Sequence, residues 1–117
     1  MNKGYLLNGR GEKIIDTVYQ ADGSLERMRG LLGREALSEN EGFWIEPCNA
    51  VHTFFMRYSL DVLFLDRDGI LLKTVSHLNP WRFAGALNAR ATIELQAGRA
   101  ASFSLNVGER LTWQVAQ

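Results

Sequence analysis

The chain has 117 residues, with thirteen Lys+Arg against thirteen Asp+Glu, so its formal net charge is zero. That balance excludes the simplest nucleic-acid binder, which needs an overall basic field, and no apolar run approaches the roughly 20 residues of a membrane-spanning helix. Hydrophobic residues are 46% and charged residues 22%, as in an ordinary globular domain and unlike a disordered chain, so a single domain over 1–117 is expected.

The first clear pattern is Asn8-Gly9 between the apolar pairs Leu6-Leu7 and Ile14-Ile15. Both central residues tolerate positive φ, which favours a primed turn and predicts a hairpin with strands near 4–7 and 13–19. Asp22-Gly23-Ser24 then breaks the chain. Leu25, Met28, Leu31 and Leu32 recur at helical spacing, with Gly33 placed to cap the C-terminus, so the main short helix is expected at about 25–32. Arg34 to Glu41 reads as loop or weak helix.

From Gly42 the period changes. Phe43-Trp44-Ile45 is a short apolar run, and Thr53-Phe54-Phe55-Met56 is rich enough in aromatic and β-branched residues to read as a strand. A hairpin is predicted across 60–76, Leu60 to Leu65 and Ile70 to Ser76 being joined by the turn Asp66-Arg67-Asp68-Gly69. Leu78 to Asn88, broken by Pro80 and Gly85, reads as a long loop. Thr92 to Leu95 is a strand, Ala97-Gly98 a turn, Phe103 to Val107 a strand or helical turn, and Leu111 to Val115 a final strand. Short strands with turn residues between them predict a mostly β (α+β) fold, either a small barrel-like sheet or an open mixed sheet with one main short helix.

Most reactive side chains lie between Glu46 and Asp68. Cys48 and His52 are the residue types of a nucleophilic pair, since a neighbouring imidazolium can hold a thiolate. Pro47 and the aromatic run argue against the helix that would bring them together, and a lone Cys is commonly an inert buried group. One Cys and two His do not make the paired spacing of a zinc site, and Asp66 to Gly69 lacks the distal glutamate of a calcium loop, so no metal and no cofactor are expected. Arg57 follows three apolar residues in a strand expected to be half-buried. Its head must find an acid, a carbonyl or a ligand. Asp61 is the nearest acid, and it either pairs with Arg57 or caps the Tyr58-Ser59 bend and frees the guanidinium. Trp81 and Arg82 in the long loop form a recognition pair or an aromatic plug.

Taken in order, Met28-Arg29-Gly30-Leu31-Leu32-Gly33-Arg34, Gly42 to Ile45, Cys48, Val51 to Asp66, Ile93 to Gly98 and Val107 to Leu111 resemble the family known as domain of unknown function 192. The resemblance runs from about residue 24 onward. Ser59 stands where the family commonly has Pro, and Glu109 where it often has Asp. The resemblance implies a compact, mostly β domain with a short helix. It implies no activity and no catalytic residues.

Three functions are open to such a chain. The first is a small non-enzymatic binding or accessory domain, with an aromatic-walled pocket for a small anionic ligand marked by His52, Arg57, Asp61, Trp81 and Arg82. The second is an enzyme using Cys48 or His52 with an acid. The third is a protein-interaction module, which shows as an exposed apolar surface in place of an enclosed pocket. The favoured expectation is the first, in a cytoplasmic monomer with no nucleic-acid or membrane partner. The lone Cys48, which cannot form an internal disulfide, and the missing signal-peptide pattern at the N-terminus carry the cytoplasmic part.

Overall fold

The computed structural model describes residues 2–21, 37–54 and 56–116. Nine strands are placed: β1 (Asn2–Leu7), β2 (Lys13–Ala21), β3 (Glu41–Ile45), β4 (Ala50–His52), β5 (Leu60–Leu65), β6 (Leu71–Leu78), β7 (Phe83–Gly85), β8 (Ala91–Gln96) and β9 (Thr112–Val115). One four-residue helix, α1 (Arg99–Ser102), follows β8. The predicted helix at 25–32 lies outside the described residues.

Seven strands form one sheet in the order β6-β5-β8-β3-β2-β1-β9, and β4 and β7 form a separate two-stranded sheet. The fold is mostly β. The large sheet is open among the described residues, so of the two expected architectures the open mixed sheet is the one adopted. It is mixed because β2 and β3 run parallel, Thr17 to Ala21 matching Glu41 to Ile45, while its other pairs are antiparallel. A parallel pair needs a long crossover, which residues 22–40 provide.

Both predicted hairpins form, but the first does not close with a primed turn at Asn8-Gly9: Asn8 N–H donates to the Glu12 carbonyl, and Gly11 takes the positive φ of 79°. Leu6 lies opposite Ile15, with the Asn8 side chain accepting the Arg10 and Glu12 backbone N–H groups across the turn. In the second hairpin Asp66 Oδ1 accepts the N–H groups of Asp68 and Ile70, and Gly69 takes the positive φ of 82° that the turn requires.

β5 is buried along its whole length, which is why it reads as apolar at every position but Asp61 and not as an alternation. Leu63 and Leu65 face one core with Trp44, Ile93 and Leu95. Val62 and Phe64 face a second core with Phe43, Ile45 and Met56. Ala100 closes the first core from α1, while Val51 and Ala84 bring the small sheet onto the second.

Two expectations need correction. Thr53, Phe54 and Met56 are not in a strand, because β4 ends at His52 and the chain turns there, with Met56 N–H donating to the Thr53 carbonyl. The long loop over 78–88 is also not all loop, since Phe83–Gly85 pairs with Ala50–His52 as β7.

Candidate functional site

One buried hydroxyl organises the corner where β4 meets the chain entering β7. Thr53 is buried. Its Oγ1 donates to the Asn79 carbonyl at 2.6 Å and accepts the Arg82 backbone N–H at 2.9 Å. Its own N–H donates to the Arg82 carbonyl, and its carbonyl accepts the Trp81 N–H at 3.0 Å. A short polar side chain satisfies local backbone in this way wherever regular pairing stops. These bonds hold Trp81 at a φ of 64°, a left-handed conformation that costs a non-glycine residue about 1–2 kcal/mol.

The residues held this way are aromatic and exposed. His52 stacks on Phe54 at 4.7 Å between ring centroids, and Phe54 stacks on Trp81 at 5.8 Å. Phe54 is 39% exposed, Trp81 53% and Phe83 69%, and Phe83 lies opposite His52 across the small sheet. Four rings therefore form a surface ridge. The Phe54 N–H donates to His52 Nδ1 at 3.3 Å, which orients the imidazole. The Arg82 side chain rests on the Trp81 carbonyl through Nη1 and its head is exposed.

The structure thus brings His52, Trp81 and Arg82 to one corner and leaves Asp61 out of it. Asp61 is 0% exposed on β5. Its Oδ1 accepts the His77 N–H and its Oδ2 the Ala100 N–H, each at 2.9 Å. It neither pairs with Arg57 nor caps the Tyr58-Ser59 bend, since both oxygens are committed to backbone from β6 and α1. This clamp holds His77 at a φ of 54° and satisfies the start of a helix whose Gly98 N-cap offers no side chain. Arg57 is exposed, because it follows a turn and not a half-buried strand. It joins no hydrogen bond or ion pair among the described residues. Ser59, two positions on, donates to Asn79 Oδ1, which ties the Arg57 bend to the loop that carries Trp81.

Cys48 and His52 are engaged separately. Cys48 is buried, its Sγ donating to the Ala50 carbonyl at 3.2 Å, while His52 is exposed and stacked. Among the described residues no group of three or more His, Cys, Asp or Glu is placed to hold a metal ion, and no helix is long and apolar enough to cross a membrane.

Two features escaped the sequence reading. Thr53 was read as part of a strand and as one of the reactive side chains between Glu46 and Asp68, and nothing in its type marks it as the hub of a corner. Glu94 is 2% exposed on β8, with Phe43 and Val62 opposite on its neighbouring strands; a single acid in Thr92-Ile93-Glu94-Leu95 does not reveal that both faces of the strand are covered.

Comparison with known proteins places this geometry in a wider set. Residues 6–113 match the family DUF192, described as an uncharacterized ACR. The match takes in the first hairpin, which the resemblance from residue 24 onward had left out. A UPF0127 protein of Thermococcus sibiricus is 32% identical over 98% of this chain and 73% of its own length. One from Pyrococcus furiosus is 30% identical over 89% of this chain and 92% of its own. Two solved structures share the fold at 20% identity. A candidate transcription regulator from Sinorhizobium meliloti has a TM-score of 0.80 over 96% of this chain and 92% of its own. A protein of unknown function from Novosphingobium aromaticivorans has a TM-score of 0.79 over 95% of this chain and 84% of its own.

Proposed function

The chain belongs to the uncharacterised DUF192 family, and from that premise we propose that it is a non-enzymatic binding module that docks a partner protein on the ridge of His52, Phe54, Trp81 and Phe83. The observation that carries this reading is Trp81. Its backbone is held in a strained conformation by the Thr53 network, yet its indole is more than half exposed. Strain of this kind persists where surrounding structure over-determines it, and it gathers at functional positions. A ring that served only packing would be turned inward. Clustered exposed aromatics are also the composition of interface centres.

Arg82, next to Trp81, borders the ridge, and with the exposed Arg57 on the neighbouring bend it favours a partner segment that carries carboxylates beside an apolar or aromatic side chain. A second reading keeps the same residues for a small anionic ligand, and the exposed Arg57 head, without an acid among the described residues, supports it. The enzyme reading has less support, because the Cys48 thiol is buried on a backbone carbonyl and the His52 ring is committed to the stack.

Selection from a library of displayed peptides tests the proposal. Peptides that bind the wild-type chain are expected to carry acidic residues next to an aromatic or proline, and to bind Trp81→Ala and Arg82→Glu at least about tenfold more weakly. Peptides that bind both variants as well as wild type would refute it.

A further inference from the structure

An open groove lies away from the ridge. It has a volume of about 510 Å³ and is lined among others by Trp44, Glu46, Arg67, Asp68, Arg110 and Trp113. That volume is within the range of small-molecule sites. Its walls are fixed by hydrogen bonds. Trp44 Nε1–H donates to Glu46 Oε1 at 3.0 Å, and Trp113 Nε1–H to the Val18 carbonyl at 3.0 Å, so both indoles are locked in place. The turn that carries Arg67 is braced by Asp66 Oδ1 and seated against the segment Arg110-Leu111 that leads into β9. Leu111 N–H donates to the Gly69 carbonyl at 2.9 Å, and Ile70 bridges Arg110. A Cβ on Gly69 would lie 2.8 Å from the Leu111 carbonyl oxygen, so only glycine allows this approach.

Against these fixed walls, the two guanidinium groups are uncommitted. Arg67 and Arg110 are exposed, and neither joins a hydrogen bond or ion pair among the described residues. Glu46, which also lines the groove, accepts from Trp44 and faces Arg90 at 3.5 Å. Asp68 is exposed on the same turn and does not neutralise two cations.

We propose that this groove binds a small oxyanion ligand, a phosphate or carboxylate carried on an apolar or aromatic body. Arg67 and Arg110 grip the anionic group as forks, and the body lies along the indoles of Trp44 and Trp113. The site is independent of the ridge and adds a small-molecule input to a chain read above as a docking module.

The three tryptophans make the test direct, because Trp44 and Trp113 report on the groove and Trp81 on the ridge. Indole N–H cross-peaks in a ¹⁵N-correlated NMR spectrum, assigned by single Trp→Phe variants, are followed during titration with phenyl phosphate, benzoate, inorganic phosphate and phenol. Phenyl phosphate or benzoate is expected to shift the Trp44 and Trp113 peaks saturably, and whichever acts more strongly names the headgroup. Inorganic phosphate is expected to act more weakly on the same peaks, and phenol to leave them in place. Arg67→Gln combined with Arg110→Gln is expected to weaken binding about tenfold or more, while Arg57→Gln with Arg82→Gln leaves it unchanged. Both pairs are exposed, and preserved peak dispersion confirms the fold. The proposal is overturned if neither anion shifts Trp44 or Trp113 saturably, if phenol shifts them equally, or if the Arg67/Arg110 variant binds as wild type does.

Discussion

Two buried polar side chains, Asp61 and Thr53, do the same job with different results. Each gathers backbone from segments distant in sequence, and each holds a non-glycine residue at positive φ, His77 in one case and Trp81 in the other. Around Asp61 the product is interior. β6 and α1 are joined over a core, and the carboxylate is consumed. Around Thr53 the product is a surface, with aromatic rings turned outward. Burial of a polar group therefore does not separate structure from function in this molecule. What separates them is what each clamp supports: His77 and Trp81 are both exposed, but Asp61 ties β6 and α1 over a core, whereas Thr53 presents a row of aromatic rings to solvent.

The comparison is tested most strongly at Asp61. Asp61→Ala leaves two backbone N–H groups without acceptors, and each such loss costs about 1–3 kcal/mol. The expected total, roughly 3–5 kcal/mol, appears as a large drop in the denaturant midpoint. A near-neutral result would show that the clamp does not organise β6 and α1. Thr53→Val keeps the shape and removes the hydroxyl. It is expected to cost about 1–3 kcal/mol and, unlike Asp61→Ala, to broaden or shift the Trp81 indole signal.

At Trp81 itself the expected effect is smaller and its sign is informative. Glycine adopts positive φ without the penalty paid by other residues. Trp81→Gly should therefore be more stable than Trp81→Ala, by about 1 kcal/mol. Equal stability of the two variants in chemical denaturation would remove the strain from the account.

The smallest effect lies far from both clamps, at the β1–β2 turn. Hydrogen bonds from the backbone N–H of Gly9 and then of Asn106 hold the Glu109 carboxyl below its usual range, against a small opposing effect of burial. A lowered folded-state value means that the stabilisation is complete above the ordinary glutamate range and is lost as pH falls through the lowered value. Glu109→Gln is expected to lower stability slightly at neutral pH and to leave it level with wild type at acid pH, which flattens the acid limb of the stability–pH curve.

The contrast between the two clamps also explains what could be read in advance. The two hairpins were legible because turn chemistry is local, although the first turn takes its positive φ at Gly11 and not at Asn8-Gly9. The strand character of β5 was legible in its apolar and β-branched residues, but its burial on both faces was not read in advance. His52, Trp81 and Arg82 were grouped by their residue types and loop position, and the fold carries them at one corner. Asp61 was marked for the wrong reason. Its partners are backbone N–H groups at 77 and 100, which have no signature in residue type, whereas Arg57, close in sequence, drew the pairing. Thr53 was missed because a hydroxyl that binds backbone 26 and 29 residues away looks, in sequence, like any β-branched residue in an aromatic run.

The central claim is that the ridge serves a partner and not the fold, and the double variant Trp81→Ala, Phe83→Ala tests it most directly when stability and peptide binding are measured on the same sample. Both rings are largely exposed, so the account predicts a loss of stability below about 1 kcal/mol, roughly 4–8 °C in Tm at most, together with loss of binding to the selected acidic–aromatic peptides. A fall in stability comparable to that of Asp61→Ala, or retained peptide binding, would contradict it.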